Sequence, residues 1–266
     1  MTSPLRASLP ELPGDATARR IHPVSRVCAP AIVVIIPLVA ATWFVPPGFP
    51  VLLRQFLLCV WGVGAILIAE RLLFSDTLAG AVRAIGGVRA STSALVAALV
   101  VSVPMWAFLP LFAWSRGIAV ALRPDWPQLL VGVVLVNGIT EEVIHRAFVF
   151  GHLRRERSFA AAATLSALLF AAQHLYLVVT IGWTAGLASV LLAALLAFPL
   201  AFIFERGSNS IGGPAILHTS SNAPVIVLAL SDDFIRTALV PHMGVVLVSL
   251  YFVFVVQRRL SKGGER

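Results

Sequence analysis

Of 266 residues, 59% are hydrophobic and only 12% carry a formal charge, and the mean hydropathy is +0.93. That balance excludes a soluble globular domain and points to one polytopic bundle. The net charge of +8 is almost wholly arginine, Lys262 being the only lysine. In so apolar a chain it marks the cytoplasmic membrane face and not a nucleic-acid surface.

Residues 1–28 are polar, proline-rich and arginine-bearing, with no apolar signal-peptide core, and read as a cytoplasmic N-terminal tail. A spanning helix needs about 20 mostly apolar residues. The sequence predicts about eight, at 29–46, 51–73, 94–114, 127–150, 159–180, 184–204, 210–230 and 237–256. The expected fold is therefore an all-α, polytopic transmembrane helix bundle over 29–256, closed by a basic cytoplasmic C-tail, 257–266. Cys28 and Cys59 sit at or inside predicted spans and give neither a disulfide framework nor a metal-ligand spacing.

Arginine placement orients the bundle. With the N-terminal tail inside, the inner segments hold Arg6, Arg19, Arg20 and Arg26, then Arg71, Arg83 and Arg89, then Arg154, Arg155 and Arg157, and last Arg258, Arg259, Lys262 and Arg266. The outer segments hold only Arg116, Arg123 and Arg236, beside Asp232 and Asp233. The positive-inside rule then places both termini in the cytoplasm of a multi-pass protein, and the arginine-heavy usage fits a bacterial plasma membrane.

Six polar residues interrupt three of these apolar runs. Glu141, Glu142 and Arg146 lie in GITEEVIHRAF, His174 in LLFAAQHLYL, and His218 with Asn222 in GGPAILHTSSNAPV. An ionisable group in a membrane span is costly and normally faces the bundle interior, where it carries function. Counting from the arginine-rich turn at 154–158, Glu141 lies ~20 Å along one helix and His174 ~25 Å along the next. The two are expected to face each other across a hairpin. Glu142 and Arg146, four residues apart, stack as an internal ion pair, while Glu141 is turned away from that face and left free. His218 and Asn222 share a face in the same way.

A glutamate and a histidine can deprotonate a water directly or through a metal. A histidine and an asparagine one turn apart can donate to a developing oxyanion. These parts suit amide hydrolysis by activated water. The same Glu141, His174 and His218 could instead ligate a divalent ion such as zinc with an open position, and the sequence is equally compatible with a metal-free glutamate mechanism. Other polar residues read more plainly. His145 is taken as incidental, His152 and His242 as interfacial, and Asp232 with Asp233 as a solvated loop. Gly207, Gly212, Gly213 and Pro214 are expected to shape the start of the seventh span. No HExxH or GxSxG occurs and no aspartate falls within a predicted span, which leaves the glutamate and histidine set.

The pattern EExxxR (Glu141, Glu142, Arg146), FxxxH (Phe170, His174) and HxxxN (His218, Asn222) resembles the CPBP family, which includes type II CAAX prenyl endopeptidases and bacteriocin-processing or self-immunity proteins. The resemblance covers about 125–228, the family's catalytic core. It implies an intramembrane endopeptidase in which Glu141 and His174 activate water and His218 and Asn222 hold the oxyanion. Glu142, Arg146 and Phe170 would organise the site. The implied partners are a protein or peptide substrate at the membrane and the lipid bilayer, at a site open to the bilayer or the cytoplasm. Two rivals remain: a non-catalytic immunity or scaffold protein of the same family, and an ion- or proton-coupled transporter.

Overall fold

The computed structural model describes residues 23–44, 46 and 48–263. The expected N-terminal tail as far as residue 22, with Arg6, Arg19 and Arg20, and the last three residues, with Arg266, lie outside them. The elements in order are α1 (Pro23–Phe44), α2 (Val51–Leu73), a short α3 (Leu78–Ala84), α4 (Thr92–Ser115), β1 (Ala121–Leu122) and α5 (Trp126–Glu156). There follow α6 (Phe159–Gln173), a short α7 (Tyr176–Thr180), α8 (Trp183–Arg206), α9 (Gly212–Val227), β2 (Leu228–Ala229) and α10 (Asp232–Gly263).

Among the described residues, seven helices are long and apolar enough to cross a membrane, with α6 and α7 together counting as one. The chain is an integral membrane, all-helical bundle. The eighth expected span, 210–230, is present as α9 but has only 16 residues, about 24 Å of helix against a hydrocarbon core of about 30 Å. It ends early because the backbone beyond Val227 pairs elsewhere: Leu122 and Ala121 face Leu228 and Ala229 in a two-stranded antiparallel ladder, and Arg123 N donates to Val227 O. This ladder fastens the start of α5 to the end of α9.

The helices alternate between two ends of the bundle. At one end Arg26 Nη2 reaches Leu73 O, Ser91 Oγ reaches Arg206 O, Arg154 grips Glu205 through Nε–Oε2 at 2.9 Å and Nη2–Oε1 at 3.2 Å, and Gln257 Nε2 reaches Ser93 Oγ. The start of α1 and the end of α10 therefore lie together. Ser91 and Ser158 begin α4 and α6 there as N-caps, each accepting a backbone N–H three residues on. The opposite end gathers the α1–α2 turn, the β1–β2 ladder, α7 and the first turn of α10. Asp232 and Asp233, expected as loop, form that first turn, where carboxylates suit the helix dipole.

The outer surface is apolar, with Leu72, Trp114, Val179 and Val248 well exposed, while Glu70, Glu142, His145 and Arg146 are buried. This inversion is what lipid as solvent selects. Three clusters form the interior: one of α1, α2, the second half of α5 and parts of α6 and α8, a second of α4, α8, α9 and α10, and a small third where the end of α4 meets the start of α10. Two glycines set the spacing of α5 between α2 and α9. A Cβ on Gly62 would lie 2.3 Å from Thr140 Cγ2, and one on Gly138 would lie 2.5 Å from Thr219 Oγ1. Only a bare backbone permits helices this close. Gly213 likewise packs against Ile203.

Candidate functional site

The site forms where α5, α6 and α9 meet, and α5 is unusual there. Residues Val134–Glu141 and Val143–Phe150 are wound as π-helix, with wide i→i+5 turns; Thr140 Oγ1 bonds back to Leu135 O at 2.8 Å. Wide turns of this kind recur at functional sites. They also reduce the angle between successive side chains, and this changes the expected picture. Glu141 does not turn away from Glu142. The two carboxylates straddle His218, with Glu142 Oε1 2.6 Å from Nδ1 and Glu141 Oε2 3.7 Å from Nε2.

Glu142 also holds Arg146, whose Nε lies 3.1 Å from Oε2 in a fully buried ion contact without hydrogen-bond alignment. The expected i,i+4 pair is therefore present, but it extends to His218. The Arg146 guanidinium stands 4.3 Å over the Phe170 ring. A desolvated cation–π contact of this kind is worth about 2 kcal/mol. Phe170 is the hub of the cluster, touching His145 at 4.7 Å, His174 at 4.6 Å and His218 at 5.6 Å between ring centroids.

His174 ends α6. Its own N–H and that of Leu175 turn to i−3 carbonyls, which tightens the last turn and breaks the span expected to run unbroken over 159–180. His174 Nδ1 donates to Phe170 O at 2.8 Å. This bond favours the tautomer in which Nε2 carries no proton; the residue is partly exposed. The direct partners of Glu141 are Asn137, whose Nδ2 donates to Oε1 at 3.3 Å, and His218 at 3.7 Å. Asn222 Nδ2 makes only a long bond, 3.4 Å, to His218 O in its own helix.

Two cavities reach this cluster. One, of about 490 Å³, is lined by Glu141, Asn137, Gln173 and Tyr176, with Arg54 and Gln55 from α2. The other, of about 920 Å³ and largely apolar, is lined by Ser221, Asn222, Arg236 and His242 among aliphatic residues. Ile226 borders both.

Two histidine expectations are corrected, and a third histidine gains a partner. His145 is wholly buried and bonds Gln173 Oε1 at 2.7 Å, pinning α5 to the residue before His174. His152 is not interfacial: it is buried against Glu70, Nε2 to Oε2 at 2.6 Å, between Phe74 and Phe148. His242 is buried beside Phe108. Asn137 and Gln173 stand beside motif residues in the sequence and could have been noticed as polar letters in apolar helices. Arg54 and Gln55 carry the same signal in α2, but they come from a helix outside the motifs.

Glu141, His174 and His218 do not converge as metal ligands, and among the described residues no three His, Cys, Asp or Glu side chains are arranged to hold a metal ion. His218 faces a carboxylate with each nitrogen, and His174 has one nitrogen committed to a carbonyl. Cys28 and Cys59 are free.

Residues 123–224, which span the whole cluster from Asn137 to Asn222, match the family model described as type II CAAX prenyl endopeptidase Rce1-like. This segment is therefore similar to that family over the residues matched. No curated protein matches the chain.

Proposed function

We propose that this Rce1-like protein is an endopeptidase that cuts a membrane-associated protein or peptide with a water activated by Glu141 and His174. The observation that carries the reading is the unfinished coordination of Glu141. Asn137 holds Oε1, while Oε2 has no hydrogen-bond partner and the residue lines a cavity. Buried acceptors are normally satisfied; Oε2 is enclosed, and its missing partner is then a water drawn in with the substrate.

Glu141 Oε2 takes one proton from the water as its oxygen bonds to the peptide carbonyl carbon, and the unprotonated Nε2 of His174 orients the other O–H. His218 and Asn222 donate to the carbonyl oxygen as it gains charge. Glu142 supports this by accepting Nδ1–H of His218, which fixes the ring beside the carbonyl oxygen; Nε2 donates in the imidazolium form. The tetrahedral adduct then expels the amine, which receives the proton held by Glu141. Arg146 and Phe170 position these groups without touching substrate. The ligand geometry does not fit a metal, so no step is routed through one. The catalytic core is taken as about 125–228, and both termini as cytoplasmic, on the strength of the arginine distribution.

Purified protein reconstituted in detergent, with an N-acylated quenched peptide library, tests this. Wild type is expected to cleave with or without chelator, and Glu141→Ala and His174→Ala to be inactive while folding normally. Equal cleavage by wild type and both variants would refute the assignment.

A further inference from the structure

We infer that the catalytic cavity opens on the non-cytoplasmic face of the membrane and that its substrate is a polypeptide supplied by export. The inference rests on the peptidase reading for what happens in the cavity, but its sidedness comes from the fold alone.

The two ends of the bundle differ sharply in charge. Among the described residues, one end gathers Arg26, Arg71, Arg83, Arg89, Arg154, Arg155, Arg157, Arg206, Arg258 and Arg259 against Glu70, Asp76, Glu156 and Glu205. The other gathers Arg54, Arg116, Arg123 and Arg236 against Asp125, Asp232 and Asp233. Short loops rich in arginine stay in the cytoplasm, and the orientation follows arginine and lysine placement, not net charge. The arginine-rich end is thus the cytoplasmic one. Trp43, Trp114, Trp126 and Trp183 cluster at the arginine-poor end, three of them well exposed, as an aromatic belt does at a membrane interface.

Both cavities that reach the site are lined from the arginine-poor end. The Glu141 cavity is walled by Ala41, Val51, Arg54 and Leu129, all near the α1–α2 turn or the start of α5. The Asn222 cavity is walled by Ile181, Gly182, Trp183 and Ile235, from the loop before α8 and the first turn of α10. Towards the arginine-rich end the path is packed shut. His145, Arg146, Phe148 and Phe150 are fully buried, and the Glu70–His152 pair lies beyond them. A cleft of about 470 Å³ exists at that end, lined by Arg83, Arg154, Arg155 and Glu205, but no residue of the site borders it. A cytoplasmic substrate would therefore have to cross this plug. A translocated peptide, or the outward-facing tail of a membrane protein, would not.

Cysteine labelling tests sidedness without relying on activity. In a Cys28→Ala, Cys59→Ala background, Thr184→Cys marks the cavity mouth, Gln55→Cys the cavity wall and Asp76→Cys the arginine-rich end. A membrane-impermeant maleimide should label Thr184→Cys at least tenfold more in intact spheroplasts than in inverted vesicles. Asp76→Cys should show the reverse, and Gln55→Cys should react with a small charged methanethiosulfonate from the same side as Thr184→Cys. Asp232→Cys repeats the outer measurement if Thr184→Cys folds poorly. Labelling of Thr184→Cys or Gln55→Cys only in inverted vesicles, or equal labelling from both sides, would overturn the inference and leave the peptidase reading intact. Correct sidedness with no cleavage of any peptide presented to that face would instead sink the peptidase reading.

Discussion

Two buried histidine–carboxylate pairs stand in this bundle, and both close at 2.6 Å: Glu142 with His218, and Glu70 with His152. Their surroundings separate them. In the Glu70 pair both carboxylate oxygens are engaged, Oε1 by Ser75 Oγ at 2.7 Å and Oε2 by His152, and Phe74 and Phe148 pack against the ring. In the Glu142 pair the histidine turns its second nitrogen to another carboxylate, Glu141, whose Oε2 has no hydrogen-bond partner in a residue that lines a cavity. A buried histidine–carboxylate pair by itself therefore says little about chemistry. A saturated pair fixes helices, and an unsaturated one beside a cavity can act on something that enters.

Exchanging the same atoms in the two pairs gives the largest expected contrast. Glu141→Gln should lower kcat/KM by about 10³-fold, within the range for losing a general base, with unchanged thermal stability. Glu70→Gln should change kcat/KM by no more than about threefold. If Glu141→Gln keeps near-full activity, the contrast is broken.

Next in size are the oxyanion donors. His218→Ala and Asn222→Ala should each lower kcat by about 10²-fold, the scale for removing one such donor, with KM little changed. A rise in KM alone would mean that these side chains bind substrate without favouring the transition state.

A smaller effect is expected from Gly138→Ala. The new methyl would press on Thr219 Oγ1 at 2.5 Å and push α5 from α9, widening the Glu141–His218 gap of 3.7 Å. A loss of about tenfold in rate should follow, since small misplacements of reacting groups are costly. Gly138→Ala combined with Thr219→Ser, which keeps the hydroxyl, should not recover it, whereas Thr219→Ala should in part.

The smallest effect on rate and the clearest on folding belongs to Glu70→Ala. It strands His152 without its partner, and removing one member of a buried pair costs about 3–5 kcal/mol. The melting temperature in detergent should fall while the folded fraction keeps its specific activity. An equal loss of activity and stability would show that the pair at the arginine-rich end is coupled to the site.

The sequence by itself determined the helical, membrane-embedded architecture, because lipid admits only long apolar helices with internally satisfied backbones. It also singled out Glu141, Glu142, Arg146, Phe170, His174, His218 and Asn222, because a polar letter in such a helix stands against a uniform background. The tertiary structure decided what each one touches. The α-helical spacing of Glu141 and Glu142 predicted divergent carboxylates, but packing at Gly62 and Gly138 and the π-turns of α5 brought both to His218. Asn137 and Gln173 were visible as letters but not as partners, and Arg54 reaches the cavity from a helix with no motif. His152 looked interfacial because its turn is rich in arginine, yet Glu70, 82 residues away, draws it inside. Local sequence reports the cost of placing a polar group in lipid. Only the fold brings together the distant side chains that offset it.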